Sequence, residues 1–157
     1  MSIKFIITWI LLSSQVLISQ NIIGKVVGIT DGDTFKLLEK DSILHKVRVA
    51  NIDCPERGQP FSNRAKQFTS DAIFSKDIKI EVLNTDRYGR LIAFAIYDDG
   101  LNLSEELVRN GYAWNYDKYS DDKILIKLQE DSRNKKIGLW SEPNPIPPWE
   151  WRKSKRK

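Results

Sequence analysis

The part of the chain best suited to chemistry is residues 48–56, which read RVANIDCPE. This stretch places a guanidinium at Arg48, carboxylates at Asp53 and Glu56, and a chain-stiffening proline between the two acids. Two further charged turns flank it, residues 31–34 (DGDT) upstream and residues 86–90 (DRYGR) downstream. Acids and arginines therefore arrive from three separate turns, and three such turns can converge on one phosphate group.

The composition favours oxygen ligands for any metal ion at such a site. The chain has one histidine and one cysteine, so a zinc site is not expected. Asp33 and Asp53, helped by a backbone carbonyl, could bind Ca²⁺ or Mg²⁺, with water and a phosphate oxygen completing the shell. Aspartates in turns also serve as simple turn formers, which is the alternative for Asp33 and, less readily, for Asp53, which no glycine follows.

Hydrolysis of a phosphodiester needs an activated water, neutralisation of the phosphate charge and stabilisation of the leaving oxygen. Glu56 can activate water, while Arg48 and Arg90 can bind phosphate oxygens bidentately and stay charged. Ribonuclease chemistry that uses the 2′-hydroxyl commonly relies on two histidines, whereas only His45 is present, and we interpret it as a solvated strand residue. Attack by water needs no 2′-hydroxyl, so DNA and RNA are both open as substrates.

The elements that must position these residues begin with short strands. Alternating β-branched and polar residues predict antiparallel strands over 22–29, 34–38 and 46–49, with a hairpin turn at residues 31–32. Gly24 and Gly28 predict bulges or tight curvature in the first strand. Two more strands are expected over 78–82 and 91–97, on either side of the 86–90 turn.

Three helices are expected after these strands. The first is capped by Ser62 and ends near residue 75 or 76, the second runs from a capping pair, Asn102 and Glu105, to residue 111, and the third runs from Ser120 to residue 138. Four prolines between 143 and 148 are expected to prevent further regular structure, with Trp149 and Trp151 fastening the tail to the body. Five strands and three helices favour an α+β, mainly β fold, a five-stranded OB-like barrel.

The length and composition fit one globular domain of 157 residues with 41% hydrophobic residues. A lysine, an apolar run over 5–18 and a polar boundary predict a signal peptide over residues 1–20, and an uncleaved membrane anchor is the alternative. The domain is then expected over 21–151. Residues 152–157 carry five cations, which indicates either a tail that attracts polyanions or a solvated, disordered end.

In order and spacing, the three charged clusters resemble the staphylococcal nuclease (thermonuclease) family. The resemblance extends over residues 22–151 and includes three further motifs, LVRNG at 107–111, GLWS at 138–141 and PPWEWRK at 147–153. It implies a secreted or periplasmic OB-fold endonuclease, a monomer without a stable protein partner, that cleaves DNA and RNA and leaves 3′-phosphate ends. The implied cofactor is Ca²⁺ before Mg²⁺, and no membrane association is expected unless the signal segment stays uncleaved.

The resemblance also implies roles for individual residues. Arg48 and Arg90 match the phosphate-binding arginines, and Glu56 matches the general base. The matched metal ligands are Asp33, Asp53 and the backbone carbonyl of Cys54. Substrate binding is expected from Arg87, Tyr88, Tyr116 and Tyr119, although for the last two tyrosines hydrophobic packing is an equal alternative.

Two departures and one rival function accompany the resemblance. The segment from Glu56 to Phe61 is shorter than in the prototype, which removes a basic loop and affects substrate preference more than chemistry. Cys54 replaces a residue that is often threonine, which should matter little because any residue supplies a carbonyl. The rival is a non-catalytic OB-fold module that binds nucleic acid. Such modules lack the arginine or glutamate positions, whereas Arg48, Glu56 and Arg90 are all present.

Overall fold

The computed structural model describes residues 20–156. The expected signal peptide lies outside the described residues apart from Gln20, with which the first strand begins. Within the described part of the chain, no helix combines the length and the apolar character that crossing a membrane requires.

A closed barrel of five strands forms the centre of the fold, as the sequence predicts. The strands of the described region are β1 Gln20–Asp31, β2 Thr34–Glu39, β3 Leu44–Val49, β4 Ile52–Asp53, β5 Asp77–Thr85, β6 Leu91–Tyr97, β7 Leu101–Asn102 and β8 Trp114–Asn115. The barrel strands follow the order β3-β2-β1-β5-β6, all antiparallel, and a parallel pairing of β3 with β6 closes the barrel. Two short strands, β4 and β8, pair with each other, and β7 pairs with the last two residues of β6.

Alternation of residue type explains why these segments form a barrel. In β1 the residues at positions 22, 24 and 26 are buried and those between them are exposed, so one face of the strand lines the core. Val26, Phe35, Leu37, Val47 and Ile80 are completely buried in that core. The register of β1 against β2 shifts between residues 26 and 28, which confirms the predicted bulge.

Four α-helices, and not the expected three, are present in the described region: α1 Ser62–Ile73, α2 Leu103–Arg109, α3 Lys123–Asn134 and α4 Pro148–Ser154. Asn102 caps α2 as predicted, because its side chain accepts a hydrogen bond from the amide of Ser104. Two predicted caps are wrong. Phe61, in a left-handed conformation, occupies the N-cap of α1 in place of Ser62, and Asp122 caps α3 in place of Ser120 by accepting the amides of residues 124 and 125.

The expectation that the prolines prevent regular structure beyond residue 143 is wrong at Pro148. A proline at the first position of a helix loses nothing, since the amide there has no partner within the helix and the fixed φ suits it. Pro148 occupies this position, and α4 continues to Ser154. The predicted domain boundary at residue 151 stays a prediction, although α4 runs across it.

A close contact between two glycines joins α2 to the segment that leads to α4. Gly111 and Gly138 both have positive φ values, 66° and 57°. A Cβ added to Gly111 would lie 2.2 Å from the carbonyl oxygen of Ile137, and the amide of Leu139 donates to the Gly111 oxygen at 2.8 Å. The LVRNG and GLWS motifs, far apart in the sequence, are therefore the two sides of one backbone contact.

Candidate active site

The β1–β2 turn places the first acid of the site. The Gly32 carbonyl accepts a 2.6 Å hydrogen bond from Thr69 of α1. A Cβ at Gly32 would lie 2.8 Å from that of Ala65 and 2.9 Å from Cys54 Sγ, so only glycine lets the turn pack this closely. Helix α1 thus supports the turn from behind and leaves Asp33 directed towards the residues that follow β3.

Asp33 is buried, and both of its carboxylate oxygens have polar partners. Oδ2 accepts a 2.6 Å hydrogen bond from the amide of Cys54 and lies 3.2 Å from Arg48 Nη1, while Oδ1 accepts from the Thr34 hydroxyl. Burial of the Arg48 guanidinium lowers its pKa, but the charges of Asp33 and Asp53 outweigh burial and raise it above the ordinary value. Arg48 therefore stays charged and holds two acids together.

Asp53 lies on β4, whose pairing with β8 sets residue 53 opposite Trp114. Its side chain is 2% exposed, and guanidinium groups contact both of its oxygens. Arg48 Nη2 lies 2.9 Å from Oδ1, and Arg152 Nη2 lies 2.8 Å from Oδ2. The acid therefore sits between one arginine from the barrel and one from α4.

Glu56 lies at the mouth of the site, with 37% of its side chain exposed, and contacts the same Arg152 through Oε1. A buried glutamine fixes its backbone, since the Glu56 amide donates to Gln59 Oε1 at 2.9 Å. The Gln59 amide nitrogen in turn donates to the Ile146 carbonyl at 2.6 Å. This chain of bonds ties the short segment after Glu56 to the polypeptide that leads into α4.

The 86–90 turn forms around one carboxylate. Asp86 Oδ1 accepts the amides of Tyr88 and Arg90, and its Oδ2 accepts Arg90 Nε at 2.8 Å. Slight burial raises the pKa of Asp86, but these hydrogen bonds outweigh it and lower the pKa below its usual value. Arg87 and Arg90 both lie over the exposed ring of Tyr88, so the turn presents two cations and one aromatic face.

The turn adjoins the acid site through the barrel closure, without direct contact to it among the described residues. Arg48 pairs with Ile92 in the parallel ladder, and Arg90 precedes Ile92 by two residues. Apart from Tyr116 and Tyr119, the predicted site residues thus form two groups. One contains Asp33, Arg48, Asp53, Cys54 and Glu56, and the other contains the residues of the 86–90 turn. His45 lies outside both groups and pairs with Glu39 at 2.7 Å.

An aromatic cluster next to Asp53 includes the two predicted substrate tyrosines. Trp149 of α4 stacks on Tyr116 with a centroid distance of 5.0 Å and an interplanar angle of 3°, and it meets Trp114 edge-on at 5.8 Å. Tyr119 contacts Tyr116 edge-on at 4.8 Å and is 67% exposed. Tyr116 therefore packs against α4, whereas Tyr119 presents a ring to solvent.

Burial and nearby acids set the titration of the groups around Asp33. They raise the pKa of the Cys54 thiol well above its usual value, burial first and the Asp33 charge second. They also raise the pKa of Asp31 to about 6. A concentration of negative charge that disfavours ionisation is typical of sites that accept a cation.

The donor set fits a hard divalent ion with an incomplete protein shell. Among residues 20–156, no group of three or more His, Cys, Asp or Glu side chains is arranged to hold a metal. Asp33 and Asp53 nevertheless both face the same guanidinium, so two buried carboxylates already share a positive charge. The Cys54 thiol packs near Gly32 and Ala65, which agrees with a backbone and not a sulfur ligand at this position. Two carboxylates and a carbonyl suit Ca²⁺ or Mg²⁺ with water or phosphate oxygens.

Two residues of the site were missed from the sequence. Arg152 begins a run of basic residues that is typical of a solvated C-terminal tail, and Gln59 belongs to no motif that indicates a functional role. A signal for Arg152 does exist: a helix starting at Pro148 puts Trp149 and Arg152 three residues apart, on one face. An aromatic anchor and a cation on one face indicate a docked helix.

Comparison with known proteins agrees with this geometry. Residues 46–142 match the family described as staphylococcal nuclease homologue. An uncharacterized endonuclease of Escherichia coli O157:H7 is 34% identical over 98% of this chain and 95% of its own length. An uncharacterized endonuclease of Haemophilus influenzae is 40% identical over 84% of this chain and 74% of its own, and a micrococcal nuclease of Shigella flexneri is 35% identical over 85% and 82%. With the barrel and the acid–arginine site in place, the chain belongs to the staphylococcal nuclease homologue family.

Proposed function

We propose that this chain is a metal-dependent endonuclease that hydrolyses phosphodiester bonds in DNA and RNA and leaves 3′-phosphate ends. The observation that carries the proposal is the convergence of Asp33, Asp53 and Glu56 on two guanidinium groups at the edge of the barrel. Buried acids concentrated around a few cations are costly unless they serve a ligand, because structural ion pairs of this kind return little stability.

Each side chain has a task that its position supports. Asp33, Asp53 and the carbonyl of Cys54 would hold Ca²⁺, which when bound would supply a Lewis acid for a phosphate oxygen. Glu56, the most exposed of the three acids, can accept the proton of an attacking water. Arg48 stays charged beside the acids, and Arg90 offers a second guanidinium from the neighbouring turn for charge on the phosphate.

The experiment compares cleavage of single-stranded DNA, duplex DNA and RNA, each with Ca²⁺, Mg²⁺ or a chelator. Activity with Ca²⁺ that the chelator abolishes is expected on all three substrates. A 3′-phosphate blocks ligation of an adaptor to the 3′ end of a product. Ligation of a labelled adaptor should therefore succeed only after phosphatase treatment of the products. Binding without cleavage under every metal condition would favour the non-catalytic module.

A matched pair of variants separates chemistry from surface charge. Glu56→Gln keeps the size of the side chain and removes its basicity, so turnover should fall roughly 10²- to 10⁴-fold while substrate still binds. Glu81→Gln is the control, because Glu81 has the same 37% side-chain exposure and also pairs with a cation, Lys79, away from the site. Parental turnover in Glu56→Gln would show that Glu56 is not the base.

We also propose that the protein is exported, because residues 1–20 combine a basic start, an apolar run and a polar boundary. Mass spectrometry of protein from a secreting bacterial host should find the mature start near Gln20 or Asn21. A start at Gln20 would leave β1 whole, and a start at Asn21 would remove only its first residue. Recovery of only full-length chain in the membrane fraction would contradict cleavage and support an uncleaved anchor.

A further inference from the structure

Arg152 occupies the two acids on which the proposed chemistry most depends. Its Nη2 lies 2.8 Å and its Nη1 3.3 Å from the two oxygens of Asp53, and Nη1 also contacts Glu56 Oε1. Arg48 takes a further position on Asp53 Oδ1 at 2.9 Å. Every carboxylate oxygen of Asp53 thus has a guanidinium partner, and Glu56 has one as well.

Helix α4 brings Arg152 to this position through packing that does not involve the acids. Trp149 stacks on Tyr116 and meets Trp114 edge-on. Trp114 lies on β8, which pairs with β4, and Tyr116 directly follows that strand. The Gln59–Ile146 hydrogen bond fixes the approach to the helix. Trp149, one helical turn before Arg152, therefore holds the guanidinium in place. Arg152 is a fixed part of the site and does not belong to a disordered basic tail.

The electrostatic setting favours this pairing strongly. Burial lowers the pKa of Arg152, but the hydrogen bonds and charges of Asp53 and Glu56 outweigh burial and raise it. The side chain keeps 35% of its surface exposed, compared with 13% for Arg48. Arg152 is thus the more accessible of the two arginines that contact Asp53, and it can leave without unfolding the barrel.

We propose that Arg152 is a further active-site residue, an internal cation that occupies Asp53 and Glu56 until a divalent metal ion displaces it. The proposal rests on the metal dependence proposed above. A cation bound by Asp53 needs a carboxylate oxygen that no guanidinium covers, and like charges at one carboxylate repel. Departure of Arg152 also releases Glu56 Oε1 from its guanidinium partner, so that this oxygen too is open to water.

Competition of this kind has a defined thermodynamic sign. Removing the guanidinium should tighten divalent metal binding in the absence of nucleic acid, by about 5- to 150-fold if the coupling is of ordinary size. The coupling is reciprocal, so bound metal must loosen the docking of α4 by the same factor. A merely structural Arg152 would produce the opposite result, since its loss would disorder Asp53 and weaken metal binding.

The test is calorimetric titration of the full chain with Ca²⁺ alone. Arg152→Met keeps the length and apolar body of the side chain, and Arg152→Lys keeps the charge without the planar fork. Lys153→Met is the matched control, because Lys153 lies on the same helix, pairs with Glu150 at 2.7 Å and is 69% exposed. The expected order of affinity is Arg152→Met tightest, Arg152→Lys intermediate, and Lys153→Met equal to the parent.

Hydrogen exchange of the peptide that covers α4 gives the second reading. Saturating Ca²⁺ should speed exchange in the parent, whereas Arg152→Met should exchange fast already and should not respond. If a folded Arg152→Met variant bound Ca²⁺ as tightly as the parent or more weakly, displacement of Arg152 by metal would be refuted. The proposed nuclease activity would not be affected by that result. Absence of Ca²⁺ binding in every variant would overturn both the exchange and the metal dependence.

Discussion

The contact between Gly111 and Gly138 gives a stability prediction that the geometry makes quantitative. Gly111→Ala places a Cβ 2.2 Å from the Ile137 carbonyl oxygen and 2.8 Å from its carbon. Ordinary contact distances require these backbones to separate by about 1 Å. Separation stretches the Leu139–Gly111 hydrogen bond, and neither partner is a flexible side chain that could move aside.

The expected cost has two parts. A left-handed alanine at φ 66° costs about 1–2 kcal/mol, and forced overpacking adds about 1–3 kcal/mol. Gly89→Ala is the control, because Gly89 also has a positive φ, 75°, but an added Cβ there meets nothing within 4 Å. The difference between the variants isolates overpacking, about 1–3 kcal/mol, or roughly 2–12 °C in melting temperature.

Urea unfolding of both variants with a chelator present measures this difference directly. The two transitions should have similar slopes and different midpoints, with Gly111→Ala unfolding at the lower urea concentration. Equal midpoints would show that the backbone at 137–138 moves aside at no cost. The tight junction between α2 and the segment leading to α4 would then be an incorrect description.

Three further predictions follow from the site. Arg90→Lys should lower turnover by about 10²-fold or more through loss of the planar fork, while Arg109→Lys, whose arginine also bonds a nearby glutamate through Nε, should keep parental turnover in the same assay. Cys54→Thr should keep Ca²⁺ affinity within a few-fold by calorimetry, and a loss of two orders of magnitude would implicate the thiol. The pKa of Asp31 is about 6 in the folded protein and 3.8 when the chain is unfolded. The protonated carboxyl group therefore adds to the free energy of unfolding in full below pH 3.8, and this contribution is lost as the pH rises through 6. Relative to Asp31→Asn in chelator, the parent should therefore become less stable between about pH 4 and 6 in urea unfolding, by a small amount because solvent screens the charge at Asp31; parallel profiles would contradict the shift.

The barrel and the acid group were accessible to sequence reasoning because local rules determine them. Alternation along β1, β2 and β3 predicts which faces are buried, and the antiparallel pairing of β2 with β3 sets Thr34 opposite Arg48. Once that register is fixed, Asp33 and Arg48 must be neighbours, and residues 53–56 follow within a few positions. Closure of the barrel then brings β6, and the turn before it, alongside β3.

The features that the sequence did not predict depend on long-range packing or on backbone conformations that the residue type does not indicate. Phe61 adopts a left-handed conformation that the residue type disfavours, so Ser62 was the better local choice of cap. Asp122 and Ser120 are both good caps, and only tertiary contacts decide between them. Arg152 reaches acids nearly a hundred residues earlier because Trp149 finds an aromatic surface, and no local pattern specifies that partner.

The separation between Arg152 and its partners also sets an order of assembly during synthesis. Asp53 and Glu56 precede Arg152 by 99 and 96 residues, and the aromatic surface on which α4 docks also comes first. Contacts across such distances form late in folding, and domains made from the N-terminus can arrange early segments first. A nascent chain therefore holds these carboxylates together with Arg48 before it holds Arg152, so Asp53 Oδ2 and Glu56 Oε1 lack their guanidinium partner until α4 has emerged and docked.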